Sequence, residues 1–285
     1  MSRHCSKCAA GKPATAPSRE PTTPASLRQR ALAGETLFGT FLFSDSPFVA
    51  EVVARCGLDW LLIDLEHGTA DSADLLPMLL AASAPDTAVA LVRVETGERI
   101  RIGRALDLGA QGVMVPQIHS AEQAHQVARW LRTQPDGERG IALFTRGMDF
   151  GTVGHAGVAK RHEDLTCIVQ IESPAALEAV DEIGAVEGVD VLFIGPTDLT
   201  HALGIPGQIE HPLYRAAVTR VGQAAKAAGK AAGVLVWNPE DVGGYAAEGF
   251  TFFSISSEVS VLDKALRAGL GSARRAARPP IEAEF

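Results

Sequence analysis

The feature that most constrains this chain is an alternation repeated eight times: a short apolar run, a polar turn, then a stretch with helical periodicity. The apolar runs are GTFLF (39–43), WLLIDL (60–65), VALVRV (89–94), GVMVP (112–116), CIVQIE (167–172), VLFIG (191–195), AGVLVW (232–237) and FTFFSI (250–255). Short runs this rich in β-branched and aromatic residues, bounded by turn residues, read as buried strands. Helical periodicity covers 46–56, 72–83, 98–108, 120–132, 174–186, 212–229, 239–248 and 258–276, with Ser, Thr or Pro near several of the cap positions. Eight strands alternating with eight helices predict an α/β protein of the (β/α)8 TIM-barrel class. A doubly wound sheet is the competing arrangement, but no GxGxxG opens the first unit, so nothing points to a nucleotide cofactor.

A chain of 285 residues with 46% hydrophobic composition can bury roughly 75% of its unfolded surface, enough for one large domain. That domain is expected over 26–275, between a disordered extension at 1–25 and a polar tail at 276–285. The extension is rich in Pro, Ser, Thr and Ala, a composition that cannot offset ordering entropy by burial. Its Cys5 and Cys8 form a CxxC, but no second ligand pair follows at zinc-finger spacing. A net charge of −8, with no basic run interleaved with aromatics, excludes the electrostatic footprint of a nucleic-acid binder. No apolar run reaches the roughly 20 residues of a membrane helix, and no signal-peptide core opens the chain. Cysteines at 5, 8, 56 and 167 make no disulfide framework in a chain of this size. A cytoplasmic protein with a small-molecule partner is the expectation.

Barrels of this class build their sites at the C-terminal ends of the strands, and the unusual polar residues cluster there. The second run ends in Asp64-Leu65-Glu66-His67-Gly68, the third carries Arg93, the fifth ends in Gln170 and Glu172, and the sixth leads into Gly195-Pro196-Thr197-Asp198. Glu172 and Asp198, just beyond successive apolar runs, would repel and desolvate each other unless a cation sat between them. Oxygen-only ligation suits Mg²⁺ or Mn²⁺ better than zinc. The alternative is that Asp198 caps a helix and Glu172 pairs with an arginine. Arg93, inside an apolar strand, needs a partner: a bound anion, the Glu66 carboxylate, or a purely structural tie between strands. His67 follows two acids, and a histidine oriented by an aspartate, here Asp64, is the usual general base near neutral pH; a simple turn histidine is the alternative. The remaining histidines, including His162, read as surface residues.

Asp107 lies near a helix C-terminus, where negative charge opposes the helix dipole, so it either has a partner elsewhere or is solvated. Backbone N–H groups of the Gly195-Pro196-Thr197 turn could receive a carboxylate or phosphate oxygen. Six lysines, at 7, 12, 160, 226, 230 and 264, all lie outside the strands, which argues against Schiff-base chemistry. The connection at 133–165 is long enough to be a lid or binding segment, and it is the expected selector of any second substrate.

These residues resemble the HpcH/HpaI aldolase/citrate lyase family, and within it the metal-dependent 4-hydroxy-2-oxoheptane-1,7-dioate aldolases. The resemblance runs from about Leu27 to Leu270 and is carried by LDWLLIDLEHG (58–68), VRV (92–94), ALDLGAQGVMVPQI (105–118), VQIES (169–173), VEGVDVLFIGPTDLTHALG (186–204) and the His211-Pro212 pair. It implies a pyruvate-type class II aldolase in which Glu172 and Asp198 hold Mg²⁺ or Mn²⁺, with Co²⁺ also admissible. His67 is then the acid/base and Arg93 stabilises the enolate. Gln170, Gly195, Pro196, Thr197, Asp198 and Leu235 bind the 2-oxo acid. An acid matching Asp107 supports the base from a neighbouring subunit in such enzymes, which are typically homo-oligomers, often hexamers. The sequence departs from relatives at VETGER (94–99) and around Phe144–Met148, on the side expected to meet the aldehyde. Two rivals remain: a CoA-thioester lyase of the citrate or malyl type, and a non-catalytic 2-oxo-acid binding protein.

Overall fold

The computed structural model describes residues 25–84 and 86–277. Eight parallel strands close into one barrel in chain order: β1 (Leu37–Leu42), β2 (Trp60–Asp64), β3 (Val89–Arg93), β4 (Gly112–Val115), β5 (Thr166–Ile171), β6 (Val191–Ile194), β7 (Ala231–Val236) and β8 (Phe250–Ser257). Each occupies one of the eight apolar runs. The (β/α)8 expectation therefore holds, and the doubly wound alternative does not.

The helices are α1 (Leu27–Leu32), α2 (Pro47–Ala54), α3 (Leu75–Ala81), α4 (Arg99–Asp107), α5 (Ala121–Leu131), α6 (Gly154–Glu163), α7 (Pro174–Glu178), α8 (Val180–Gly184), α9 (Pro196–Ala202), α10 (Pro212–Ala227), α11 (Val242–Ala247) and α12 (Glu258–Ala276). Serine side chains accept from backbone N–H groups at the starts of α2, α5, α7 and α12, satisfying donors that a helix N-terminus leaves free.

Two apolar cores follow from strand alternation. One lies between the outer face of the barrel and the helices, and includes Leu61, Ile63, Val92, Val113, Val169 and Val218. The other fills the interior with Phe41, Trp60, Leu62, Leu91, Met114, Ile168, Phe193 and Phe252. Leu27 and Ala31 of α1 join the interior core, so the helix before the first strand plugs one end of the barrel. Gly39 makes room for the Trp60 indole, which a Cβ there would strike. Toward the other end, the inward positions become polar: Asp64 sits beside Arg93 in register, and Gln170 beside Phe193.

The long connection at 133–165 is not an unstructured loop. It contains a 3-10 turn (Arg146–Gly151) and α6. Because it runs from α5 into β5, it opens at the N-terminal ends of the strands, where it meets the end of α4: Arg139 bonds Asp107, and Arg146 Nη1 donates to the Leu108 carbonyl. The extension at 1–24, with its CxxC, and the end of the tail at 278–285 lie outside the described residues. Among the described residues, no helix is long and apolar enough to cross a membrane, and Cys56 and Cys167 are free thiols.

Candidate active site

At the C-terminal rim of the barrel a cavity of about 160 Å³ is lined by Phe41, Phe43, His67, Arg93, Gln170, Phe193, Gly195, Pro196, Thr197, Asp198, Leu235 and Trp237. Strands β2, β3, β5, β6 and β7 or the turns after them thus bring His67, Arg93, Gln170, the Gly195–Asp198 turn and Leu235 to one place. Glu172 stands just behind, its Oε2 accepting from Gln170 Nε2 at 2.8 Å. Among the sequence-derived candidates, Asp107 alone is remote.

Arg93 is the hub. Its Nε and Nη2 donate to the two oxygens of Asp64 at 2.9 and 2.6 Å, its Nη1 lies 3.0 Å from Glu66 Oε2 and 3.3 Å from Gln170 Oε1, and the guanidinium sits 5.0 Å over the Phe41 ring. Burial alone would pull the guanidinium pKa down, but the hydrogen bond to Asp64 and the charges of Asp64, Glu66 and Glu172 outweigh it and raise it. Arg93 therefore stays a cation with two acids on it, not one.

The structure changes the role read for Asp64. Its carboxylate is fully buried, forms a fork with Arg93 and accepts from the backbone N–H groups of Glu66 and His67 at 3.0 and 3.3 Å. It shapes the turn that carries His67 but does not bond the imidazole. The acid nearest the ring is Glu66, with Oε2 3.9 Å from His67 Nε2, while the ring itself is 57% exposed. The reason is geometric: Asp64 is the last inward position of β2, and its neighbour in register is Arg93.

Among the described residues, Glu172 has no arginine within salt-bridge distance. Its Oε1 accepts from the Gln117 N–H at 2.7 Å, and Gln117 adopts a left-handed backbone, φ 56°, to present that group. Burial pushes the Glu172 carboxyl up to about 7; Asp198 and Glu66 push the same way, against the Gln117 hydrogen bond and Arg93. Glu66 is also raised, by burial and by Asp64 and Asp198, despite Arg93 and His67. Asp198 stands at the third position of α9 and makes no capping hydrogen bond; the cap position is Gly195. Neither bland reading of the acid pair therefore describes the geometry. A Cβ at Gly195 would lie 2.7 Å from Glu172 Oε2, so the glycine leaves space for that carboxylate.

The surroundings of the cavity hold four carboxylates, Asp64, Glu66, Glu172 and Asp198, against one guanidinium. No cluster of three or more His, Cys, Asp or Glu side chains able to enclose a metal occurs among the described residues. What the chain offers is two oxygen ligands in an acidic setting, which fits a hard divalent cation that keeps positions for water and substrate.

Asp107 meets Arg139 at 2.6 Å on the far face of the barrel, so within one chain it cannot touch the site. No residue of 133–165 lines the cavity of its own chain. The surface reading of His162 is corrected: it is 3% exposed, packed where α6 folds back on Thr133. Sequence reasoning missed Gln117 and the aromatic lining, Phe41, Phe43, Phe193 and Trp237; for Phe43 and Trp237 the available signal was their position at the ends of apolar runs.

A family model described as HpcH/HpaI aldolase/citrate lyase matches residues 37–265. A hydroxypyruvate/pyruvate aldolase of Delftia acidovorans is 39% identical over 84% of this chain and 89% of its own length. A 5-keto-4-deoxy-D-glucarate aldolase of Klebsiella pneumoniae is 37% identical over 82% of this chain and 90% of its own. Among solved structures, an HpcH/HpaI aldolase/citrate lyase family protein from Burkholderia cenocepacia superposes with a TM-score of 0.82 at 36% identity, covering 87% of this chain and 98% of that one.

Proposed function

Because the chain belongs to the HpcH/HpaI aldolase/citrate lyase family, we propose that it is a carbon–carbon lyase that cleaves a 4-hydroxy-2-oxo acid to pyruvate and an aldehyde, and runs the addition in reverse. The observation that carries this reading is the rim cavity. It gathers an exposed imidazole, a buried guanidinium and the Asp198 carboxylate around a space sized for a small oxo acid, with Glu172 directly behind on Gln170.

Glu172 and Asp198 would hold the divalent cation, Mg²⁺ or Mn²⁺ by the oxygen-only donor set. Bound there, it would act as a Lewis acid toward the carboxylate and keto oxygens of the oxo acid. Gln170 keeps Glu172 in place and, through its Oε1, holds Arg93 Nη1. The backbone of Thr197 and Asp198 at the start of α9 receives the substrate carboxylate.

In cleavage, His67 Nε2 takes the proton of the 4-hydroxyl. The C3–C4 electron pair becomes the C2–C3 double bond as the carbonyl pair moves onto the C2 oxygen, and the aldehyde departs. Arg93 Nη1 faces the charge that develops there, already oriented by Asp64, so little reorganisation is needed. Glu66 is the acid nearest the ring, its Oε2 3.9 Å from His67 Nε2. C3 then takes up a proton to give the pyruvate methyl group.

Residues 26–275 act as one catalytic domain, in the cytoplasm, and the enzyme works as a homo-oligomer. In that assembly Asp107 serves a neighbouring copy's site. A panel of 4-hydroxy-2-oxo acids with coupled pyruvate detection tests the reading. Release should stop in EDTA, return with Mg²⁺ or Mn²⁺, and survive borohydride; full activity in EDTA would remove the metal from the account.

A further inference from the structure

The rim cavity has two unlike walls. His67, Arg93, Gln170 and Asp198 form one, and aromatic and aliphatic side chains form the other. Phe41 and Phe193 are its buried floor, with ring centroids 6.2 Å apart. Phe43 and Trp237 stand higher, and Trp237 keeps 40% of its surface exposed at the mouth.

Both upper residues are held by one helix that otherwise takes no part in the site. Glu258, at the start of α12, accepts from the Phe43 N–H at 2.8 Å and the Ser44 N–H at 2.7 Å. Lys264, two turns on, donates to the Trp237 carbonyl at 3.1 Å. Two loops that follow different strands, and that carry Phe43 and Trp237 of the lining, are thereby tied to one helix.

Charge argues in the same direction. The one guanidinium lining the cavity is that of Arg93, and it already carries Asp64 and Glu66. A divalent cation paired with the carboxylate of the oxo acid still leaves the surroundings acidic. Within one chain, an aldehyde ending in a carboxylate would find in the lining no guanidinium but Arg93, which already carries two acids, and would meet Asp198. An uncharged aldehyde with an apolar substituent would bury it against Trp237 and Phe43, gaining about 25 cal/mol for each Å² removed from water.

We propose that Trp237 is a specificity-determining residue and that this chain selects uncharged aldehydes with an aromatic or branched aliphatic substituent over carboxylated ones. The proposal rests on the aldolase reading and adds the class of the second substrate.

The test is competition in the synthetic direction, with pyruvate as donor and benzaldehyde against succinic semialdehyde as acceptors. It is read as the ratio of their kcat/KM values, so that overall activity cancels. The wild type should favour benzaldehyde, Trp237→Ala should lower the ratio by about tenfold, and Trp237→Phe should keep most of it. Glu258→Ala, which removes the acceptor of the Phe43 and Ser44 N–H groups without touching the cavity, should lower the ratio by a smaller factor. A wild-type preference for succinic semialdehyde, or a ratio unmoved in Trp237→Ala, overturns the proposal. Wild-type exchange of deuterium into the pyruvate methyl group, measured with no aldehyde present, separates the two levels. Exchange with an unmoved ratio defeats only the role of Trp237, whereas no exchange defeats the aldolase reading and this proposal together.

Discussion

Gly195→Ala places a methyl group where the structure leaves least room for it. The added Cβ would lie 2.7 Å from Glu172 Oε2 and 3.1 Å from Gln170 Nε2. Ordinary van der Waals contact with that oxygen needs a retreat of about 0.7 Å. Glu172 cannot make it freely, because Gln117 N–H holds its other oxygen at 2.7 Å and Gln170 holds the same one at 2.8 Å. The carboxylate must rotate away from its place between Gln117 and Gln170. Displacing a residue that orients a ligand typically costs 10- to 100-fold in metal affinity, so Mn²⁺ should bind about 10- to 100-fold more weakly, measured by calorimetric titration. The fold should suffer little: losing a glycine helix cap costs roughly 1 kcal/mol, about 2–4 °C in melting temperature for a domain this size. Wild-type Mn²⁺ affinity in a folded Gly195→Ala protein would refute the assignment of Glu172 as a ligand.

Three further outcomes follow from the same contacts. Asp64→Ala leaves the buried guanidinium with Glu66 as its remaining acid and removes its charge-assisted fork, a loss of about 1.5–3 kcal/mol; the melting temperature should fall by roughly 3–10 °C, and an unchanged melt would mean that the Arg93 fork carries no stability. His67→Asn, at an exposed position, should melt like the wild type while retro-aldol kcat drops by about 10²- to 10⁴-fold; full kcat would exclude the imidazole. His162 is held near pKa 4 by burial, with Arg139 and then Arg132 adding to the effect. Its contribution is complete above pH 6.5 and is lost as pH falls toward 4, because the unfolded chain takes up a proton that the buried ring refuses. The full difference is about 3 kcal/mol. His162→Asn should therefore lose less of its melting temperature than the wild type between pH 7 and pH 4.5, and parallel losses would contradict the burial argument.

The barrel was legible because eight apolar runs each had strand length and each was followed by helical spacing. Parallel closure then placed their C-terminal ends together, and with them His67, Arg93, Gln170, Asp198 and Leu235. The partners of those residues were less legible. Asp64 and Glu66 are two positions apart, and which of them meets Arg93 or the imidazole depends on strand register and on the turn after β2. Gln117 shows the same limit more sharply, since its contribution is a backbone N–H aimed by a left-handed conformation that the side chain does not advertise. Length alone did not place the 133–165 segment; its position between α5 and β5 assigns it to the end of the barrel away from its own chain's cavity. His162 became buried because α6 forms inside that segment and folds back on Thr133. The aromatic wall escaped notice because Phe43 and Trp237 close apolar runs and look like core until the rim is drawn.

The central claim is that the rim cavity generates a pyruvate enolate with the help of a divalent cation held by Glu172 and Asp198. Proton NMR of pyruvate in D₂O measures it without any choice of aldehyde. The account predicts loss of the methyl signal with Mg²⁺ or Mn²⁺ present, none in EDTA, and none in Glu172→Gln at any metal concentration that saturates the wild type. Exchange that persists in EDTA, or that Glu172→Gln leaves at the wild-type rate, would contradict it.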